Sequence, residues 1–140
     1  MKYLLDTPLL AELVRAHVDD WSAHWIDAIN EEDIFINAIT VGEIVHHIEN
    51  EIDPKRKEAL YHWLNEDLLI RFHGRIITPD LDILCEWGRI NAECEKSGRM
   101  LSAVDAMIAA TVRARGLVLI TFNREVFAGT GIEVSDPWRG

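Results

Sequence analysis

Apolar residues follow two rhythms along this chain. Short apolar runs at 2–5, 34–37, 75–78, 117–121 and 132–134 are bounded by polar or turn residues. They are too short for helices and predict strands. The run LVLIT at 117–121 has no alternation, as expected of a strand buried on both faces. Between the runs, apolar positions recur every three or four residues, which predicts helices. These stripes are Leu9, Leu10, Leu13, Val14 and His17; then Trp21, Trp25 and Ile29; then Ala59, Leu60, Trp63 and Leu64. Two more follow: Leu81, Leu84, Cys85, Gly88 and Ala92, and then Val104, Met107, Ile108, Thr111 and Val112.

Helix ends are marked as well. Thr7-Pro8 pairs a good N-cap with a favoured first helical residue. Thr40 starts a helix through about residue 52, with Thr40 and Glu43 as a capping box. Asp53-Pro54 breaks the chain ahead of a helix over 55–69, and a helix over 80–96 ends at Ser97-Gly98. Gly88 within that helix costs about 1 kcal/mol against Ala, which points to close packing there. Ser102 and Asp105 form a second capping box, and Gly116 stands where a helix C-terminus takes a left-handed residue.

Strands alternating with helices predict a three-layer α/β/α sandwich around a central parallel sheet. The 140 residues suit one domain over 1–140, with 49% hydrophobic residues and a net charge of −10. That charge opposes simple nucleic-acid binding and suits a protein that uses a divalent cation or a basic partner. No apolar run approaches the ~20 residues of a membrane span. Asp6 interrupts any leader-like core, so a cytoplasmic location is expected. Cys85 and Cys94 lie on opposite sides of one predicted helix, as reduced thiols. Glycine-rich nucleotide loops and serine nucleophile elbows are absent from the sequence.

Three carboxylates mark the chemistry. Asp6, Glu43 and Asp105 each lie at a strand-to-helix transition or in the first turn of a predicted helix, and Asn123 follows a strand. Each acid also has a structural reading: Glu43 and Asp105 as caps, Asp6 as a partner of the adjacent helix N-terminus. If the three helices start at one end of the sheet, the acids converge. Converging carboxylates stay ionised together only around a cation, and oxygen ligands select Mg²⁺ or Mn²⁺ over zinc. His46 and His47 lack zinc-site spacing. A carboxylate-held divalent ion activates water against phosphodiesters. Arg113, Arg115 and Arg124 flank the predicted site, as phosphate contacts or as solvated helix-end charges.

The stretches LLDT at 4–7, AITVGEI at 38–44, SAVDAMIAAT at 102–111, GLVLITFN at 116–123 and GTGIEVSDPW at 129–138 resemble PIN-domain ribonucleases of the VapC toxin type. The resemblance runs nearly end to end. It implies a PIN fold, an Mg²⁺- or Mn²⁺-dependent endoribonuclease acting on RNA, neutralisation by a cognate antitoxin, and homodimerisation. It places the catalytic and metal-holding positions on Asp6, Glu43, Asp105 and Asn123. It also implies that the antitoxin sets an arginine against these acids. From the residues themselves, the exposed part of Trp21, Trp25 or Trp63 is expected to offer that partner's apolar residues a groove. Two departures stand out: Pro8 replaces the family's small polar residue, and Val126 precedes Phe127 where an acid is common. They motivate an alternative, a weakened PIN domain that binds an antitoxin without cutting. A structure-specific DNA nuclease on the same fold ranks last, since the short chain offers no insertion to clamp a duplex.

Overall fold

The computed structural model describes residues 1–6 and 29–136. The expected helix after Thr7-Pro8, Trp21, Trp25 and Trp138 lie outside the described residues. Five strands, β1 (Tyr3–Leu5), β2 (Ile34–Asn37), β3 (Ile76–Ile77), β4 (Val118–Ile120) and β5 (Glu133–Ser135), form one sheet. The order is β3-β2-β1-β4-β5, and every pairing is parallel. Helices α1 (Ala38–Glu49) and α2 (Pro54–Trp63) connect β2 to β3, and α3 (Leu81–Lys96) and α4 (Ala103–Arg115) connect β3 to β4.

Alternation along the strands splits the core in two. Leu5, Ile34, Ile36 and Ile120 face α1 and α2, where they meet Ile44, Ile48, Leu60, Leu64 and Leu68. Leu4 and Leu119 face the other way, against Ile83, Ile90, Ala106, Ile108 and Ala109 of α3 and α4. With both faces covered, the three-layer expectation holds. No helix among the described residues is long and apolar enough to cross a membrane.

Three local expectations need correction. First, α1 starts at Ala38. The Asn37 side chain accepts from the Ile39 N–H at 2.9 Å and caps the helix. Thr40 is therefore a fully buried helical residue, and Glu43 falls in the second turn rather than a capping box. Asn37, at the strand end three residues before Thr40, takes the cap.

Second, α2 passes at Leu64–Leu68 into a π-helical turn before one last α turn, Leu69–Arg71. The buried residues here are Leu60, Leu64, Leu68 and Phe72, spaced by four. An α-helix rotates such a series by about 40° per step. A wider π turn rotates it back and keeps the four on one core.

Third, α3 presents a different face from the expected one. Leu81 is 75% exposed, and Leu84, Cys85, Gly88 and Ala92 are exposed too. A Cβ on Gly88 would meet nothing within 4 Å, so no close packing occurs there among the described residues. The helix carries a competing stripe, Ile83, Trp87, Ile90 and Cys94, and it is this one that packs on α4. Cys94 thus lies inward and Cys85 outward, both as free thiols.

The helices are tied by polar contacts. The Ser102 side chain accepts from the Asp105 N–H at 3.1 Å, and Gly116 closes α4 at φ 64°. Arg113 on α4 reaches Glu86 at 3.0 Å and Glu93 at 2.7 Å, both on α3. In the sheet's interior, Asn37 donates to the Thr111 hydroxyl, which donates to the Met107 carbonyl at 2.8 Å.

Two expected outcomes follow from these contacts. Thr111→Val leaves the buried Asn37 amide short of a partner, a loss of about 1–3 kcal/mol. Urea unfolding should show a lower midpoint with an unchanged slope; an unchanged midpoint would dismiss the link. The second outcome concerns pH. The hydrogen bond from Arg113 holds the Glu93 carboxyl below its ordinary 4.5, and the Tyr61 hydroxyl, with Lys57, does the same for Glu49. A carboxyl that titrates lower in the folded chain adds stability above its unfolded pKa and loses it as pH falls through the folded one. Both groups are open to water, so the increment is small and salt-sensitive. The melting temperature should drop as pH falls through and below the ordinary carboxyl range, and Glu49→Gln with Glu93→Gln should flatten that limb.

Candidate active site

Each of four strands ends in a polar residue. The β1–β4 register pairs Leu5 with Ile120, so the next residues, Asp6 and Thr121, face each other. The β1–β2 register pairs Leu4 with Phe35, which sets Asp6 level with Asn37. The β4–β5 register pairs Ile120 with Ser135, which sets Thr121 level with Asp136. Backbone bonds carry the ladder into this row: Asp6 N–H to the Ile120 carbonyl at 3.0 Å, and Thr121 N–H to the Ser135 carbonyl at 3.1 Å. Asn37, Asp6, Thr121 and Asp136 are all buried. Strand alternation turns them towards the α3/α4 side, in agreement with the Asn37–Thr111 bond.

The row crosses the point where the sheet's order reverses. The chain builds outwards from β1 through β2 to β3, then returns to lay β4 and β5 on the other side. Crevices at such points, outside the carboxyl ends of the strands, are where open α/β sheets bind ligands. Asp6 and Thr121 sit on the two strands that flank it.

Asp6 is 2% exposed. An unsatisfied carboxylate at that depth costs several kcal/mol. The Thr121 hydroxyl offsets part of this by donating to Asp6 Oδ2 at 2.7 Å. The same hydroxyl oxygen accepts from the Asn123 N–H at 3.0 Å. One side chain therefore orients the carboxylate of Asp6 and the backbone of Asn123, and Asn123 in turn opens the 3₁₀ turn Arg124–Phe127. Thr121, Asn37 and Asp136 were not singled out from the sequence as site residues. Asn37 and Thr121 carried a signal, each being the polar residue at which a short apolar run stops; Asp136 carried none, since the run at 132–134 stops at Ser135.

Glu43 and Asp105 approach from helices. Asp105 lies in the first turn of α4, whose C-terminus leads through Gly116 straight into β4. The helix thus runs back along the sheet, and its first turn stands at the edge where the strands end. Glu43 lies one turn into α1, which leaves that edge from Asn37. Asp105 and Glu43 are half-buried and Asn123 is exposed. The donors are oxygens throughout, the chemistry that a hard divalent cation selects. Among the described residues, no group of three or more His, Cys, Asp or Glu side chains stands close enough together to hold a metal ion. The donor types fit such an ion; Asp6, Glu43 and Asp105 are not drawn into one compact cluster.

The three flanking arginines divide. Arg113 is held by Glu86 and Glu93, and Arg115 pairs with Asp80 at the start of α3. Both sit in the last turn of α4, away from the strand ends. Arg124, next to Asn123, is exposed and makes no ion pair among the described residues.

A family model for the PIN domain matches residues 3–132. Toxin FitB of Neisseria gonorrhoeae is 29% identical over 135 residues, which cover 96% of this chain and 97% of that protein. VapC ribonuclease Y4jK of Sinorhizobium fredii is 30% identical over 135 residues, covering 96% of each. Among solved structures, FitAcB from Neisseria gonorrhoeae superposes with a TM-score of 0.89 at 28% identity, covering 99% of each chain. DNA-bound VapBC from Salmonella typhimurium gives 0.78 at 26% identity, covering 98% of each. With the sheet order, the row of polar strand ends and these likenesses together, the chain belongs to the PIN domain family, among the VapC-type ribonuclease toxins.

Proposed function

We infer that this protein is a divalent-metal-dependent endoribonuclease, the toxin of a toxin–antitoxin pair, and that Asp6, Glu43, Asp105 and Asn123 are its site. The observation that carries the reading is the buried Asp6 carboxylate, fixed by Thr121 where the strand order reverses. A buried, oriented carboxylate beside a crevice is poised for chemistry on a bound phosphate. Asp6, Glu43 and Asp105 would hold Mg²⁺ or Mn²⁺, with Asn123 contributing its side-chain oxygen. Bound there, the ion supplies an activated water and neutralises charge on the phosphate. The chain's own part is to keep the Asp6 carboxylate aimed. Thr121 does so from one side, and the Ser102 cap fixes the first turn of α4 that carries Asp105.

The partner reading rests on the relatives and on charge. One solved relative is a toxin-antitoxin complex from Klebsiella pneumoniae, 25% identical with a TM-score of 0.70. A chain of net charge −10 attracts a basic partner. An antitoxin arginine set against Asp6, Glu43 or Asp105 fits paired carboxylates and keeps its charge when buried. The outward stripe Leu81, Leu84 and Cys85 on α3 supports a homodimer. A cytoplasmic location agrees with an RNA substrate. The separation of the acids, together with Pro8 and Val126, favours a second reading, a PIN domain that binds its antitoxin without cutting.

Cleavage of single-stranded RNA with Mn²⁺ present separates the two. The parent chain should cut, and Asp6→Asn should lose at least about 100-fold in rate while staying folded. Thr121→Val keeps the shape and removes the donor, so it should lose about 10- to 100-fold. Mn²⁺ should raise the melting temperature of the parent more than that of Asp6→Asn. A parent chain that leaves RNA intact and whose melting does not respond to Mn²⁺ would favour the non-cutting reading.

A further inference from the structure

Arginine is spent unevenly in this molecule. Arg56, Arg71, Arg75, Arg89, Arg113 and Arg115 each pair with a carboxylate. Among the described residues, Arg99 and Arg124 make no such pair. Both stand beside one groove, Arg124 in its wall and Arg99 against Gly129. A groove lined by Arg124, Phe127, Gly129, Gly131, Ile132 and Val134 runs from the turn after Asn123 along the edge strand β5. The Arg99 guanidinium lies over Gly129 from the loop before α4: a Cβ at 129 would sit 1.7 Å from Arg99 Nη1. Gly129 and Gly131 both take positive φ, 84° and 76°. Glycine suits both, and each leaves its stretch of groove without a side chain.

Of the nearby acids, Asp136 shares the strand face of Ile132 and Val134 but is buried and has a partner. Glu133 alternates with Ile132 and Val134 and so faces away from them. Glu125 is already engaged. In a chain of net charge −10, uncompensated guanidinium charge thus gathers beside the candidate site. Guanidinium forks match phosphate oxygens bidentately. A narrow groove that joins guanidinium charge to short apolar walls suits an extended single strand, whose backbone follows the positive charge while its unstacked bases meet apolar surface.

We propose that this groove is the track for the single-stranded RNA flanking the scissile bond, with Arg124 and Arg99 each holding a backbone phosphate. The proposal rests on the ribonuclease reading above. Arg124 directly follows Asn123, so it takes the phosphate next to the reacting one, and Arg99 takes one further along over Gly129. Neither touches the reacting atoms; both set where the strand lies.

The test uses the non-cutting Asp6→Asn chain and a short fluorescent oligouridine, followed by anisotropy over a salt series. Adding Arg99→Gln and Arg124→Gln should weaken binding about tenfold or more. It should also make the log-affinity against log-salt slope shallower by about 1.4, which is 0.7 per phosphate lost. Arg99→Lys with Arg124→Lys should keep the slope, and the paired Arg89→Gln should change nothing. Equal affinity and slope for the Gln pair and its parent would overturn the track. So would loss of antitoxin binding in the Gln pair with RNA binding intact, which would make the groove a protein-docking surface. On a cleavage-competent background, the Gln pair should raise KM with kcat little changed. If the parent neither binds nor cuts RNA, the ribonuclease reading itself fails; if it cuts and the Gln pair cuts equally well, only the track does.

Discussion

Burying one carboxylate at the end of a strand sets the terms for the rest of this structure. Asp6 can be sunk to 2% exposure only if something donates to it, and Thr121 does so from the neighbouring strand. That bond exists only in the observed register of β1 and β4. A one-residue slip would turn every side chain of β4 to the opposite face, send Thr121 into the α1/α2 core and leave Asp6 without its hydroxyl. The register, the reversal of strand order and the candidate chemistry are therefore one constraint seen at three scales. Asn37 plays a matching part on the other flank of β1, where it caps α1 and bonds α4 through Thr111.

Helix α4 carries the second half of that arrangement. Ala106, Ala109 and Ala110 are buried with no protruding side chain, so α3 and the sheet both approach closely. What small residues lack in grip, Arg113 supplies by spanning Glu86 and Glu93 and reaching the Thr130 carbonyl at 3.3 Å. One side chain thereby joins α3, α4 and the segment before β5. The same pairing withdraws Arg113 from any contact with nucleic acid. Most of the described guanidinium charge is committed in this way to holding the fold.

Much of this was readable in the chain. The five strands fell within a residue or two of their expected places, because short β-branched runs between turn residues have few other uses. Gly116 and the Ser102 cap were readable because each has a local stereochemical cause. The start of α1 was not, since Asn37 and Thr40 are both competent caps and tertiary burial chose between them. The face of α3 was not, because Leu81, Leu84 and Gly88 repeat at the same helical spacing as Ile83, Trp87 and Ile90. Periodicity cannot say which of two stripes meets α4. At the site, the acids drew attention through their charge. Thr121 escaped notice because a lone hydroxyl in a β-branched run looks like any strand residue until the register puts Asp6 beside it.

The π turn at Leu64–Leu68 has a bearing on how this segment tolerates change. A π turn amounts to one extra residue accommodated inside a helix. Substitutions on its outer surface, at Asn65, Glu66 or Asp67, leave the backbone path alone. Removal of a single residue from the turn has a related outcome. It restores plain α geometry, and Phe72 then lies eleven residues rather than twelve beyond Leu60, within about 20° of it around the helix. The flanking turns keep their place on the core, so homologous chains should align across this segment with the π turn as the one place where a single-residue gap is tolerated.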